Sequence, residues 1–301
     1  MKVFVEGEEE VGSEHLPAYL AEYGDLLGAD VIVIADSGNW KVGRPALTTS
    51  LRGNVAVTVE VRALQAGVHS GLAGGPIPDA LTVLTRILAT LHDEHGAVAV
   101  PGLVGYESDP LDLTEDDVRS DFGVLPSVQL IGGGALTSRM WTKPSITVLA
   151  IDAPPVAHAI NQLPATARAK VGLRTAPGQD GAAASAALRN HLLSADAWGA
   201  EVTVTEVEQG AAFRADTSDP RIGAFREGLA AAWEAEVAEI GIGGSIPFVA
   251  DFQRLFPEAA IVLTGVIDPT SGAHGPNESV DLADLRNAVL GEAIALRLLA
   301  G

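Results

Sequence analysis

Cysteine is absent from the 301 residues. Its absence excludes disulfides, thiol nucleophiles, zinc knuckles and iron–sulfur ligation, and it fits a reducing, cytoplasmic location. Basic residues are scarce: 19 Lys+Arg stand against 39 Asp+Glu, a formal net charge of −20. So acidic a chain is poorly suited to nucleic acid or an anionic membrane, because phosphate contacts need clustered Lys and Arg. Acidic residues gathered in a cleft suit metal cations instead. Runs of about 18 uninterrupted apolar residues are also missing, which argues against a spanning helix. The N-terminus lacks the basic-then-apolar profile of a secretory signal. Charged residues make up only 19% and hydrophobic ones 47%, so burial can offset the cost of ordering and disorder is excluded. The length suits one large domain or two ordinary ones.

What is present alternates between strand-like and helical apolar spacing, the pattern of an α/β protein. Lys2-Val3-Phe4-Val5 reads as an opening strand, Leu16, Leu20, Tyr23 and Leu27 as one helical face, and Asp30 to Ala35 as a strand buried on both sides that stops at Asp36-Ser37-Gly38. A chain that opens directly on a core strand reads as lacking an N-terminal part. From about residue 53 the character changes. Strands are expected at 54–62, 145–151, 165–174 and 201–208, and helices at 76–95 and 181–193. A Gly-, Pro- and Asp-rich insertion occupies about 96–144. Without the insertion the order is βαββαβ, a ferredoxin-like unit. The last third returns to α/β signals, with a helix at 221–237, a Gly-rich turn at 241–245, a strand at 260–264 and a helix at 282–299. The expected organisation is therefore a first α/β part at 1–52, an inserted smaller domain at 53–212, and the second part of the α/β domain at 213–301.

In open α/β sheets, sites form beyond the carboxyl ends of strands. Three strands run into possible metal ligands: the first into Glu6-Gly7-Glu8-Glu9-Glu10, the second into Asp36, and 261–263 into a loop carrying His274. Adjacent carboxylates can divide the labour at a metal site, one ligating and the other acting as general base. Zinc accepts such His and carboxylate ligands, as do manganese and cobalt.

Val5-Glu6-Gly7-Glu8-Glu9-Glu10-Val11-Gly12-Ser13, Ala35-Asp36, Gly67-Val68-His69-Ser70-Gly71, Gly243-Gly244-Ser245-Ile246-Pro247 and Gly272-Ala273-His274 follow the order of motifs in the di-zinc aminoacylase/carnosinase superfamily. The chain resembles that superfamily over nearly its whole length, and its dipeptidase branch more than its deacetylase branch. The resemblance implies a zinc-peptidase-like catalytic domain interrupted by a lid and dimerisation domain. It also implies two Zn2+ ions per complete site, a dipeptide or short peptide substrate, and a homodimer formed through the lid. Glu9 matches the general base, Glu10 a zinc ligand, Asp36 the ligand of the other zinc, and His274 the C-terminal ligand sharing a metal with Glu10. His69 matches a histidine that stabilises the oxyanion across the dimer. Arg174 matches the arginine that holds the substrate carboxylate, and Gly244 and Ser245 a turn offering donors to the same group.

The superfamily's upstream His-x-Asp motif and metal-bridging Asp have no counterpart here. The chain as written thus presents two ligands of one zinc and one of the other, and is expected to be inactive alone. The alternatives left open are a non-catalytic dimerising remnant and an amidohydrolase of N-acyl amino acids.

Overall fold

The computed structural model describes residues 1–11, 13–244 and 246–301, without the side chains of Glu10 and Pro247. In chain order its elements are α1 (Leu16–Leu27), β1 (Val31–Gly38), β2 (Ala46–Leu51), β3 (Gly53–Arg62), β4 (Val68–His69), α2 (Ser70–Ala73), α3 (Ala80–Ala89), α4 (Glu115–Asp121), α5 (Leu136–Trp141), β5 (Ser145–Asp152), β6 (Gln162–Leu163), β7 (Thr166–Thr175), α6 (Gly181–Ser194), β8 (Glu201–Gly210), β9 (Phe213–Arg214), α7 (Pro220–Trp233), β10 (Ala238–Ile242), α8 (Pro247–Leu255), β11 (Ala260–Ile267) and α9 (Leu282–Ala300). They form two compact units. One comprises Met1–Leu51, Phe213–Ile242 and Ile246–Gly301, and the other Arg52–Ala212 with Gly243–Ser245.

In the first unit β1, β11, β2 and β10 lie side by side in that order, with β9 against β2. β1 runs parallel to β11 and β2 parallel to β10, while β11 and β2 are antiparallel. Ile261 and Leu263 of β11 pack with Leu16, Leu20, Val249 and Phe252 of α1 and α8. Ala260 and Val262 pack with Ile222, Phe225, Leu229 and Trp233 of α7 and Ala295 of α9. β11 is therefore apolar at consecutive positions because helices cover both of its faces. Buried Asp284 at the start of α9 accepts from Trp233 Nε1 at 2.7 Å, Asn39 Nδ2 at 3.3 Å and the Gly43 amide at 3.0 Å. It thereby ties α9 to α7 and to the turn after β1.

The second unit is a four-stranded antiparallel sheet in the order β5-β7-β3-β8. Counted along the chain these are strands two, three, one and four, the ferredoxin-like arrangement expected from the βαββαβ order. Val55, Val57, Val59 and Val61 of β3 alternate toward Leu84, Ile87, Leu188 and Leu192 of α3 and α6. The intervening residues form the opposite face.

Two expectations are corrected. Residues 2–5 form no strand: Val3 and Val5 are 79% and 85% exposed, and Phe4 instead stacks on Tyr19 at 5.4 Å between ring centroids. Among the described residues no strand pairs with them, and without one extended backbone gains nothing from pairing. The helix expected at 76–95 is only Ala80–Ala89. Asp79 caps it by accepting from the Thr82 amide at 2.8 Å, and Thr90 Oγ1 bonds the Ile87 carbonyl at 2.7 Å. Asp93 then takes the amides of His95 and Ala97, both at 2.9 Å, and folds the apparent last turn into a loop. β2 and β10 had no clear signal in the sequence.

Candidate active site and carboxylate cradle

In the first unit, Glu9 lies in a 3-10 turn, Glu9–Val11. Glu6 accepts the Glu8 amide on its carboxylate at 3.0 Å. Glu8 accepts from the His15 amide at 3.2 Å and from His15 Nδ1 at 2.9 Å. The His15 side-chain bond is the largest of the influences holding the Glu8 carboxyl below its ordinary value. Glu6 and Glu8 are thus engaged in shaping the turn that carries Glu9, which is half-buried. The side chain of Glu10 lies outside the described residues.

Asp36 does not end its strand, as the sequence suggested. β1 continues to Gly38 through a bulge: Ile34 pairs with Leu263 and Ser37 with Gly265, so three steps on β1 oppose two on β11. The extra residue leaves both Ala35 and Asp36 exposed, where regular alternation would expose only one. The strands approach so closely here that a Cβ on Gly265 would sit 1.7 Å from the Ser37 carbonyl oxygen.

His274 lies in the loop between β11 and α9, with a left-handed φ of 60°. The loop is anchored at buried Asp268, which accepts from the Thr270 amide at 2.7 Å, Thr270 Oγ1 at 2.5 Å and Ser271 Oγ at 3.0 Å. Because β1 and β11 are adjacent and parallel, their carboxyl ends lead to the same rim of the sheet, one bearing Asp36 and the other the His274 loop. Carboxylate and imidazole are the donors that zinc, manganese and cobalt accept, so these residues fit a divalent metal. Among the described residues no three His, Asp or Glu side chains form a metal cluster, and that set omits the Glu10 carboxylate.

In the second unit, His69 ends β4, which pairs with β6, and caps α2. Its Nδ1 accepts the Gly71 amide at 3.1 Å. A neutral imidazole so held carries its proton on Nε2, and the exposed ring presents that N–H outward as a donor. The glycine two residues after the histidine is the sequence trace of this arrangement.

Arg174 stands on β7, an interior strand, half-buried and paired with Ser145 on β5 and Asn54 on β3. Beside it is a residue the sequence reading passed over. Arg52, 5% exposed, precedes β3 and reaches across the end of β7 to donate to Ser145 Oγ at 3.0 Å and to the Arg139 carbonyl. Burial, and secondarily the like charge of Arg174, pulls its pKa down to about 10. A charged residue inside the buried run around Leu51 was the available signal. Gly243 belongs to this unit, and a Cβ there would meet the Met140 carbonyl oxygen at 3.1 Å, so the Gly243-Gly244 turn lies against the backbone next to Arg139. Ser245 lies outside the described residues.

A profile of the peptidase dimerisation domain matches residues 49–200. The chain is 37% identical over 300 residues to a cysteinylglycine-S-conjugate dipeptidase of Corynebacterium striatum, an alignment covering 97% of this chain and 66% of that protein. It superposes with a TM-score of 0.76 at 21% identity on an M20 family metallo-carboxypeptidase from Sulfolobus solfataricus, covering 97% of this chain and 69% of that one. On the di-peptidase Dug1p from Saccharomyces cerevisiae the TM-score is 0.73 at 21% identity, covering 97% and 64%. The chain thus spans about two thirds of the length of these relatives.

Proposed function

Since this chain belongs to the M20 peptidase family, whose dimerisation domain it carries, we propose that it provides the metal-dependent hydrolysis of a peptide bond in dipeptides or short peptides. The observation that carries the proposal is the parallel pairing of β1 and β11, whose carboxyl ends lead Asp36 and the His274 loop to one rim, in the unit that also contains the Glu-rich turn. Glu10, Asp36 and His274 would hold divalent metal, Zn2+ first and Mn2+ or Co2+ as alternatives. Metal bound there would supply Lewis acidity toward the scissile carbonyl and a more acidic water.

The remaining steps belong to side chains. Glu9 accepts the proton of the attacking water and returns it to the leaving amine. His69 donates its Nε2–H to the oxyanion, in the family manner toward the site of a second copy. Arg174 holds the substrate carboxylate with its planar fork, and the Gly244 amide and Ser245 hydroxyl add donors. The second unit serves as lid and as the dimer contact. The C. striatum relative makes cysteinylglycine S-conjugates the first substrates to assay.

The test is Glu9→Gln in metal-loaded protein completed with the superfamily's upstream His-x-Asp part. Turnover of dipeptides should fall by about 100-fold or more with metal content unchanged; near-normal turnover would refute the assignment. Zinc calorimetry on the 301-residue chain addresses the reading of a non-catalytic remnant, which two tightly bound ions per chain would end. Faster hydrolysis of N-acetyl amino acids than of dipeptides would move the substrate class to amidohydrolase.

A further inference from the structure

Arg52 has no role in the machinery so far. It is 5% exposed, its Nε is buried without a hydrogen-bond partner, and among the described residues Arg174 is the only charged group bearing on it. A buried guanidinium facing a second cation is expensive to keep, and folding alone gives no reason for it. Its two bonds, to Ser145 Oγ and the Arg139 carbonyl, fix the side chain across the end of β7 on the sheet face that carries Arg174. The same Arg139–Met140 backbone abuts the Gly243-Gly244 turn. Arg52 thus bonds the segment against which Gly243 lies and feels the like charge of Arg174.

We propose that Arg52 is a positioning residue of the carboxylate subsite: a buried second guanidinium that, with Arg174, makes the end of β7 a doubly cationic cradle selecting peptides with a free C-terminal carboxylate. This deepens the reading of Arg174 as the carboxylate holder and rests on it. Arg52 acts without touching the ligand's reacting atoms. It holds Ser145 and the residue 139–140 backbone in place and adds positive potential that only an anion relieves. An incoming carboxylate is then favoured by both charges, whereas a neutral amide of the same shape meets two unsatisfied cations.

The test uses the 301-residue protein with chelator present, so that nothing is hydrolysed, and compares the binding of alanylglycine with that of its C-terminal amide by NMR line broadening. The wild type should prefer the free acid by about 10-fold or more, the worth of a charge-assisted contact. Arg52→Met should cut that preference to within about threefold of unity, and Arg52→Lys, which keeps the charge, should recover part of it. A merely structural role would weaken acid and amide alike and leave the ratio unchanged, which overturns the inference. Arg174→Met separates the two readings. Preference lost there but kept in Arg52→Met removes Arg52 alone, whereas preference absent from the wild type or kept in Arg174→Met removes the carboxylate reading itself. Should Arg52→Met not fold, Arg52→Gln removes the charge while keeping side-chain donors for Ser145 Oγ and the Arg139 carbonyl. A reduced ratio there supports the inference and an unchanged one overturns it.

Discussion

Asp268 is the residue on which the His274 loop depends. Burial pushes its carboxyl up, but the bonds from Thr270 and Ser271 outweigh this and hold it below the ordinary aspartate value. A carboxylate lowered on folding contributes stability above its unfolded value of 3.8, and that contribution is lost as pH falls through the folded value. Asp268→Asn should therefore cost about 1–3 kcal/mol at neutral pH, the worth of hydrogen bonds to a charged acceptor. The gap from wild type should narrow on acidification below pH about 4. Urea melts at several pH values would measure both. A gap independent of pH would mean that the loop is held by its backbone turns alone.

The pairing of β1 with β11 is where an element, rather than a residue, sets the geometry of the proposed metal site. Two successive register shifts, between Ile34 and Ser37 and between Ser37 and Gly38, aim Asp36 out of the sheet. They rely on a glycine at 265, because the Ser37 carbonyl occupies the space a side chain would need. Gly265→Ala should force the strands apart, costing about 2 kcal/mol or more, and should weaken metal binding more than the loss of stability explains. Calorimetric metal titration beside a denaturant melt separates the two effects, and an unchanged metal affinity would mean that the bulge does not position Asp36. The spacing of apolar residues in β1 and β11 made both strands legible. The bulge was not legible, because register is a property of two strands and the sequence of one does not contain it.

For the whole molecule, charge is the dominant fact. A net charge of −20 on 301 residues repels itself in the compact state, and salt should relieve that repulsion. Raising ionic strength from about 0.01 M to about 0.1 M shortens the Debye length from about 30 Å to about 10 Å. The midpoint Tm should rise over that range in a calorimetric scan with chelator present. A falling Tm would instead mean that attractive pairs such as Arg221 with Asp219 and Arg226 with Glu239 outweigh the net repulsion. Among the described residues no helix is long and apolar enough to cross a membrane.

The sequence by itself determined the two-part α/β plan, the ferredoxin-like order of the second unit and the family, because periodicity and motif order are written locally along the chain. It also marked Glu9, Asp36, His69, Arg174 and His274 as chemically interesting. It misread residues 2–5, whose alternation suited a strand that finds no partner, and it extended α3 past the side-chain caps at Asp79 and Thr90. The tertiary structure alone decided what brings separated groups together: the parallel neighbours that lead Asp36 and the His274 loop to one rim, the Gly71 amide that fixes the His69 tautomer, and the burial of Arg52 beside Arg174. Those depend on which segments become neighbours in space, and that is settled only when the two faces of each sheet are covered and the strands are in register.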